Sequence, residues 1–488
     1  MTTLPPQRST YTIVAATSPS QAILSSFANP RPEWVVILLG GIFGLLSAFI
    51  TPPMQAPDET EHFYRAYQIS EGGIVPKKID EPPPSGTTGG YLPTALAVAE
   101  QFEPLKHHPE RQFVAPVENL RKLARVEIQN DDRSFFAFSN TAAYSPVPYL
   151  PQSFGIWFGR FFDRSPLLLA YAARIANLAA WLGLIAVAVR TTPVLPWAFV
   201  GLALTPMSLF LAASASGDAV TNGLCWLFIA QCLQLACGTS TAPSNRDAAS
   251  LAGVGFLVSL VKVPYQGLWL LLAVFSLSAG QLSVRSRPAF WRCTILMAVG
   301  FLGWMLIVRG TFSPYDPSFR PGDQLRFITS HPEALWWGTF GYLQPQFLWR
   351  TLEQFVGVLG WLDTRFPVWF TLIHLVTLVG VAAGEVIPLE AAALRRLRLV
   401  AASVGAVLCW LVCFVVLVAG TSVGQRQMFV QGRYFLPIAP LLLVSLAGRL
   451  PHTIPLARCR PFLRLAWTAY LPLSLVFMLW TLRCRYYP

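Results

Sequence analysis

Long apolar runs separated by short polar breaks recur along most of the 488-residue chain. Each is about 20 residues long, enough to cross a hydrocarbon core of about 30 Å as a helix. The pattern predicts eleven spans: Trp34–Ile50, Ser145–Phe162, Leu167–Val189, Val194–Ala213, Ala219–Leu235, Leu251–Leu277, Trp291–Val308, Phe366–Ala383, Leu399–Ala419, Tyr434–Leu446 and Ala466–Leu482. The expected fold is therefore an all-α integral membrane protein with a large loop after the first span. Residues 1–32 are polar and rich in Ser, Thr and Pro and read as a disordered cytoplasmic tail, leaving 33–488 as one polytopic transmembrane domain. Trp34–Ile50 reads as a retained span, because a cleaved signal peptide would want a basic start and a small-x-small end. Between Leu167 and Leu235, prolines and a Ser-x-Ser-x-Asp segment ending at Asp218 could conceal half-spanning helices.

Composition agrees with a bilayer as solvent: 54% of residues are hydrophobic, 12% are charged, and mean hydropathy is +0.49. The net charge of +12 is unevenly placed. Thr51 to Ala143 holds nine Lys/Arg against thirteen Asp/Glu, a balance of −4 that leaves +16 elsewhere, mostly in short loops. That is the distribution of a positive-inside membrane protein and argues against nucleic acid as a partner. With the N-terminus inside, alternation puts Arg160/Arg164, Arg285/Arg287/Arg292, Arg395/Arg396/Arg398 and Arg449/Arg458/Arg460 in the cytoplasm. It leaves residues 51–144, 309–365 and 420–432 outside. Trp336, Trp337, Tyr342, Trp349 and Trp361 in the second segment suggest short amphipathic helices against membrane lipids. The eight cysteines avoid the long acidic loop and form no disulfide framework.

The most informative stretch follows the first span: Pro52-Pro53-Met54-Gln55-Ala56-Pro57-Asp58-Glu59-Thr60-Glu61-His62-Phe63. Asp58 can cap a helix that starts after Pro57, and helical spacing sets Asp58, Glu61 and His62 along one face. A carboxylate at the mouth of a membrane cavity could accept a proton from a hydroxyl. The same residues also suit a solvated acidic first turn that favours the helix dipole. A divalent metal could bind at Asp58, Glu59 or His62, but two or three ligand types at this spacing specify none, and no metal or cofactor is assigned. Arg174, Asp218 and Lys262 fall in or beside spans, where a charge costs at least about 2.5 kcal/mol and should find a partner. An Asp218–Lys262 pair would satisfy two of them. Trp361 and Asp363 in Gly360-Trp361-Leu362-Asp363 could form a sugar platform and hydroxyl acceptor, or an interface anchor and a helix cap. No P-loop, dinucleotide fingerprint, Gly-x-Ser-x-Gly elbow or DxD motif is present.

The stretch Pro53-x-x-x-Pro57-Asp58-Glu59-x-x-His62-Phe63 resembles the opening signature of the DUF2142 family of bacterial membrane proteins. Gly360-Trp361-Leu362-Asp363 and Gln431-Gly432-Arg433-Tyr434-Phe435-x-Pro437 fit the same family, in order, between about Trp34 and Leu446. That family resembles the GT-C glycosyltransferases, polytopic enzymes that take sugars from polyprenyl-phosphate carriers outside the cytoplasmic membrane. Tyr144-Ser145-Pro146-x-Pro148-Tyr149 and Ala173-Arg174-Ile175-x-Asn177 are similar to that superfamily's early core.

The resemblance implies an enzyme of the bacterial inner membrane with juxtamembrane helices in its first outer loop and an active site facing outward. Asp58 would be the general base and Glu59 the fallback. Arg433 and Arg426 would take the leaving phosphate of a polyprenyl-phosphate sugar donor, with Lys262 as a further phosphate contact and Arg320 and Arg326 as weaker alternatives. Snorkelling to headgroups would account equally well for Arg426 and less well for Arg433. His62, Gln431 and Tyr434, in the same motifs, would contact substrate, and the acceptor would be a glycan or lipid-linked molecule. The alternatives are a transporter or flippase of lipid-linked glycans, and a polysaccharide polymerase or ligase.

Overall fold

The computed structural model describes residues 30–79, 87–114, 116–162, 164–237, 244–277, 287–314, 316, 318–387, 389–426, 430–449 and 454–488. Apart from residues 30–32, the tail expected over 1–32 lies outside the described residues, as does Arg285.

The chain is mostly helical, and five helices are long and apolar enough to cross a membrane: Pro32–Ile50 (α1), Pro166–Thr191, Asp218–Cys237, Ala289–Val308 and Ala391–Ala419. Val263–Val274, Val368–Gly384 and Gly432–Val444 are apolar but shorter. A helix over Ile454–Tyr486 closes the chain. Between α1 and the next long helix lie Glu59–Ser70 (α2), an antiparallel sheet of Lys77–Ile79 (β1), Thr87–Pro93 (β2) and Arg133–Ala137 (β3), and the helix Leu150–Arg160 (α3). We call Pro166–Thr191 α4. It starts on a Ser165 cap whose hydroxyl accepts from the Leu168 amide, with Pro166 at the first position, where its missing N–H costs nothing.

Small residues let α1 and α4 approach closely. A Cβ on Gly44 would lie 2.7 Å from Leu178, and one on Gly40 2.9 Å from Leu182, so the two helices run antiparallel with residues 40 and 44 opposite 182 and 178. Arg190, at the far end of α4, therefore lies at the same end as Trp34.

This register corrects the expected alternation. α3 packs on the beginning of α4, with Gly155 against Ala172, and runs beside α2: the Ser153 hydroxyl donates to the Ala66 carbonyl and Arg160 pairs with Glu71. Arg160 and Arg164 thus lie beyond the end of α1 that carries Ile50, opposite Trp34 and Arg190. The apolar run Ser145–Phe162 is a short helix folded onto its successor, not a span placing Arg160 and Arg164 beside the N-terminus. Pro146 and Pro148 hold the preceding residues in a tight turn, Pro151 sits in the first turn, and the helix is left with 11 residues, about 17 Å.

Two other expected spans are interrupted. Val194–Ala213 divides into Pro196–Ala203 and Pro206–Ala212, because Pro206 cannot continue the ladder of the preceding helix. Leu251–Leu277 divides into Asn245–Ser259 and a segment restarting at Val263, with Pro264 following the break. Lys262 in that break reaches Asp218, while Leu251 lies beside Cys293 at the start of the helix Arg287–Val308. The chain therefore runs up to Lys262 and back before residue 287. The two reversals cancel, so the helices from Arg287–Val308 onward run in the directions expected relative to α1.

The long loop is fastened at several points to the helix ends it covers. Thr88 donates to the Thr311 carbonyl (2.8 Å), Trp304 to the Ala143 carbonyl (2.9 Å), and the Phe113 amide to the Tyr486 carbonyl (2.8 Å). Residues 309–365 form short helices at Pro321–Ser330, Pro332–Phe340 and Pro345–Gly357. Single cysteines at exposed Arg164 and Arg190 test the register. In sealed vesicles, a membrane-impermeant maleimide should label Arg164→Cys and Arg190→Cys from opposite faces, above the background of the native thiols, whereas labelling from one face would contradict it.

Candidate functional site

The end of α1 is built around one buried ion pair. Arg174, in the third turn of α4, meets Glu59 through two 2.7 Å bonds and donates to the Ala48 and Thr51 carbonyls (2.7 Å each) and the Pro52 carbonyl (2.9 Å). The carbonyls at the C-terminal end of a helix lack intrahelical partners, and a guanidinium is a suitable donor to them. Glu59 accepts in addition from the Ala215 amide (2.9 Å) and the Ala56 amide (3.2 Å). Burial alone would raise its pKa, but Arg174 and these donors outweigh burial and hold it below 4.5. Both side chains are almost wholly buried. Glu59 is thus an anchor for the loop, with both oxygens engaged, and Asn177 one turn on secures the Ser214 and Ser216 carbonyls (2.7 and 3.1 Å).

Asp58, one residue earlier, is held outward. It occupies the cap position of α2 in the left-handed region (φ 59°) and makes no capping bond. The expectation that its side chain caps the helix is therefore corrected, and a non-glycine residue in this conformation carries strain that its surroundings must support. Its Oδ2 lies 2.5 Å from Arg433 Nη2, and its Oδ1 accepts a 3.4 Å bond from Asn140. Arg433 also reaches Asp218 (3.3 Å), the Pro57 carbonyl (3.4 Å) and Gln431 (2.6 Å), and Asp218 pairs with Lys262. The result is a chain of alternating charge, Asp58, Arg433, Asp218, Lys262. The Tyr434 ring lies beside both cations, with Arg433 at 5.4 Å and Lys262 at 5.8 Å. Arg433 is 2% exposed and Asp58 33%, so the carboxylate is the group the cluster presents outward.

Local sequence explains this placement. Gly432 lies so close to the helix Pro345–Gly357 that a Cβ would meet the Thr351 carbonyl oxygen at 2.2 Å, and its amide donates to Gln354 (3.0 Å). The turn Gly432–Ile438 that carries Arg433 is also held by Trp226, which donates to the Leu436 carbonyl (2.8 Å). Gln431 and Leu362 share the wall of a cavity of about 110 Å³, which brings the second and third motifs together.

His62 shares a 2.8 Å hydrogen bond with Tyr149, and burial pushes its pKa down to about 4, so the ring is neutral at pH 7. On Asp58 burial acts the other way and raises the pKa, but the Arg433 charge and hydrogen bond outweigh it and keep the carboxyl below 3.8. Glu61, next on the face, moves upward through burial and the neighbouring Asp58 charge.

Glu59, the expected fallback base, is engaged through both oxygens in the structural pair, and four further expected site residues lie elsewhere or act otherwise. Arg426 is half exposed and pairs with Glu333 (3.2 Å), away from the cluster. Asp363 pairs with Arg485 of the last helix (3.1 Å) and accepts from Thr364. Trp361 donates to the Met54 carbonyl (2.9 Å), with Lys106 over its ring at 4.1 Å, so it packs against the same loop as Asp58. Tyr434 contributes its ring, and its carbonyl accepts from Tyr265 (2.8 Å). Sequence reasoning paired Asp218 with Lys262 but missed the contacts of Asp218 with Arg433, of Asn140 with Asp58, and of Glu59 with Arg174. A buried arginine demands a carboxylate, and that was the available signal for the last pair. Among the described residues no group of three or more His, Cys, Asp or Glu is placed to hold a metal ion.

These features define a polytopic helical membrane protein with a charged cluster where a large loop meets the helix ends. The chain belongs to the DUF2142 family, described as a predicted membrane protein, whose profile matches residues 41–442. No curated protein and no solved structure matches it.

Two outcomes follow from the buried groups. Glu59→Ala should destabilise the purified protein by about 3–5 kcal/mol in denaturation, because it strands Arg174 in the interior, while Asp58→Asn should cost much less. The folded protein holds His62 neutral down to about 4, against 6.5 in an unfolded chain. Its contribution to stability is therefore complete above pH 6.5 and lost as pH falls toward 4, and His62→Gln should flatten that part of the pH profile by on the order of 3 kcal/mol.

Proposed function

We propose that the protein is a membrane glycosyltransferase that moves a sugar from a polyprenyl-phosphate donor to an extracytoplasmic glycan or lipid-linked acceptor. In this reading the chain crosses a bacterial cytoplasmic membrane eleven times with its N-terminus inside. The long loop and residues 309–365 then roof a site that faces outward, and α2 and α3 are its juxtamembrane helices. The observation that carries the reading is the partly exposed Asp58 carboxylate fixed beside two cations, Arg433 and Lys262, at the end of the helices.

Asp58 takes the proton of an acceptor hydroxyl as that oxygen forms a bond to the anomeric carbon. The bond from that carbon to the carrier phosphate breaks, and its electron pair leaves with the phosphate toward Arg433 and Lys262. Guanidinium and ammonium groups in a dry site stabilise such developing charge strongly. One displacement inverts the anomeric centre. Asp58 is a carboxylate throughout the neutral range, so it is ready to accept a proton, and a phosphate that draws Arg433 away raises its basicity at the moment of need.

A transporter of lipid-linked glycans is the second reading, favoured by the interruptions at Leu204-Thr205 and around Lys262, since broken helices line many transport sites. Purified protein in nanodiscs, given a panel of polyprenyl-phosphate sugars, separates the two. Wild type should release carrier phosphate and glycosylated product, and Asp58→Asn should lower the rate by about 10²–10⁴ while donor binding persists. Arg433→Gln should lower it by about 10²–10³. Activity surviving Asp58→Asn would remove Asp58 as base. Glycan translocation across vesicles without donor consumption would establish the transporter.

A further inference from the structure

A cleft of about 1030 Å³ opens where the turn after α3 meets the end of the sheet, lined by Glu71, Arg133, Trp157, Arg160, Phe161 and Arg164 among others. It lies at the far end of α2 from Asp58, about 18 Å along the helix, and is separate from the charged cluster. Among the described residues its carboxylates are Glu71 and Glu127. Arg133 and Arg160 both reach Glu71 (2.6 and 3.5 Å), whereas exposed Arg164 lies beside the Phe162 ring and pairs with no carboxylate among the described residues. Among the described residues, one carboxylate thus serves two guanidiniums while the third has no carboxylate partner.

The outer face of α3 and its following turn is apolar. Phe154, Trp157, Phe158, Phe161 and Phe162 are all strongly exposed, in an unbroken aromatic row. Trp157 (45% exposed) and Phe161 (66%) belong to both the row and the cleft, so the apolar face runs directly into the cationic pocket. An aromatic face joined to arginines is the make-up of a helix lying at the membrane interface.

We propose that this cleft binds the headgroup of an anionic membrane phospholipid, with the phosphate on Arg164 and Arg160 and the acyl chains over Trp157 and Phe161. Guanidinium forks match phosphate oxygens, and the aromatic row supplies the apolar continuation that a free phosphate would not use. The site would fix the tilt of α3, and through Arg160 and Glu71 the far end of α2, independently of what reaction the protein carries out.

Native mass spectrometry of the full-length protein in mild detergent tests this, with phosphatidylglycerol, phosphatidylcholine, glycerol 1-phosphate and a polyprenyl phosphate as separate probes. Wild type should bind phosphatidylglycerol in preference to phosphatidylcholine, and Arg164→Gln should weaken it about fivefold. Arg164 makes no ion pair among the described residues, so its variant should melt like wild type. Phe161→Ser should also weaken the lipid. Equal binding of the two phospholipids, or an unchanged preference in a normally folded Arg164→Gln, would overturn the proposal. So would glycerol 1-phosphate competing as well as the lipid, or the polyprenyl phosphate displacing phosphatidylglycerol through Arg164.

Discussion

The ion pair between Glu59 and Arg174 is the constraint on which the rest of the loop-covered end of the helices depends. A lone guanidinium in the third turn of an apolar helix would be expensive, and so would a lone carboxylate beneath a loop. Here each is saturated: Arg174 spreads its donors over Glu59 and three carbonyls at the end of the first helix, and Glu59 accepts two backbone amides besides. One interaction therefore ends the first helix, starts the second, and registers both against α4 and the turn at Ser214–Ser216. Neutral hydrogen bonds could join any two of these segments, but a bidentate pair with fixed geometry joins all four.

With Glu59 pinned inward, its neighbour must turn outward, and the left-handed backbone at Asp58 is how the chain makes that change within one residue. Two adjacent carboxylates thus receive opposite tasks from their surroundings: one neutralises a buried cation, and the other stands at the surface of a charged cluster. The alternation of Asp58, Arg433, Asp218 and Lys262 sets two negative charges against two positive ones. In the proposed reaction, both cations exchange a carboxylate partner for the carrier phosphate. The neutral His62 beneath, bonded to Tyr149, adds packing without adding charge.

How far this could be read from sequence depended on what each segment packs against. Uninterrupted helices such as α1, α4 and Asp218–Cys237 were legible from hydropathy alone, because length and apolarity are what a bilayer demands. Ser145–Phe162 was misread, since an aromatic helix lying on a neighbour has the same composition as one that crosses. The hairpin at Lys262 was hidden by apolar residues on both sides of a break that only Pro264 marks. Within the site, Asp58, Arg433 and Lys262 were legible because a charge next to an apolar run needs a reason. Arg426 and Asp363 were equally conspicuous, but local carboxylate and arginine partners, Glu333 and Arg485, take them out of the cluster. Sequence spacing does not record such contacts across the fold.

The most direct test of the central claim, that the Asp58–Arg433 cluster receives a lipid phosphate, is an experimental structure of the protein with a polyprenyl-phosphate sugar or its unreactive phosphonate. The phosphorus should lie within hydrogen-bonding reach of Arg433 or Lys262, with the anomeric carbon facing Asp58 and the Asp58–Arg433 contact opened. A phosphate bound elsewhere with that contact intact would contradict it, and would leave the cluster as a purely structural device.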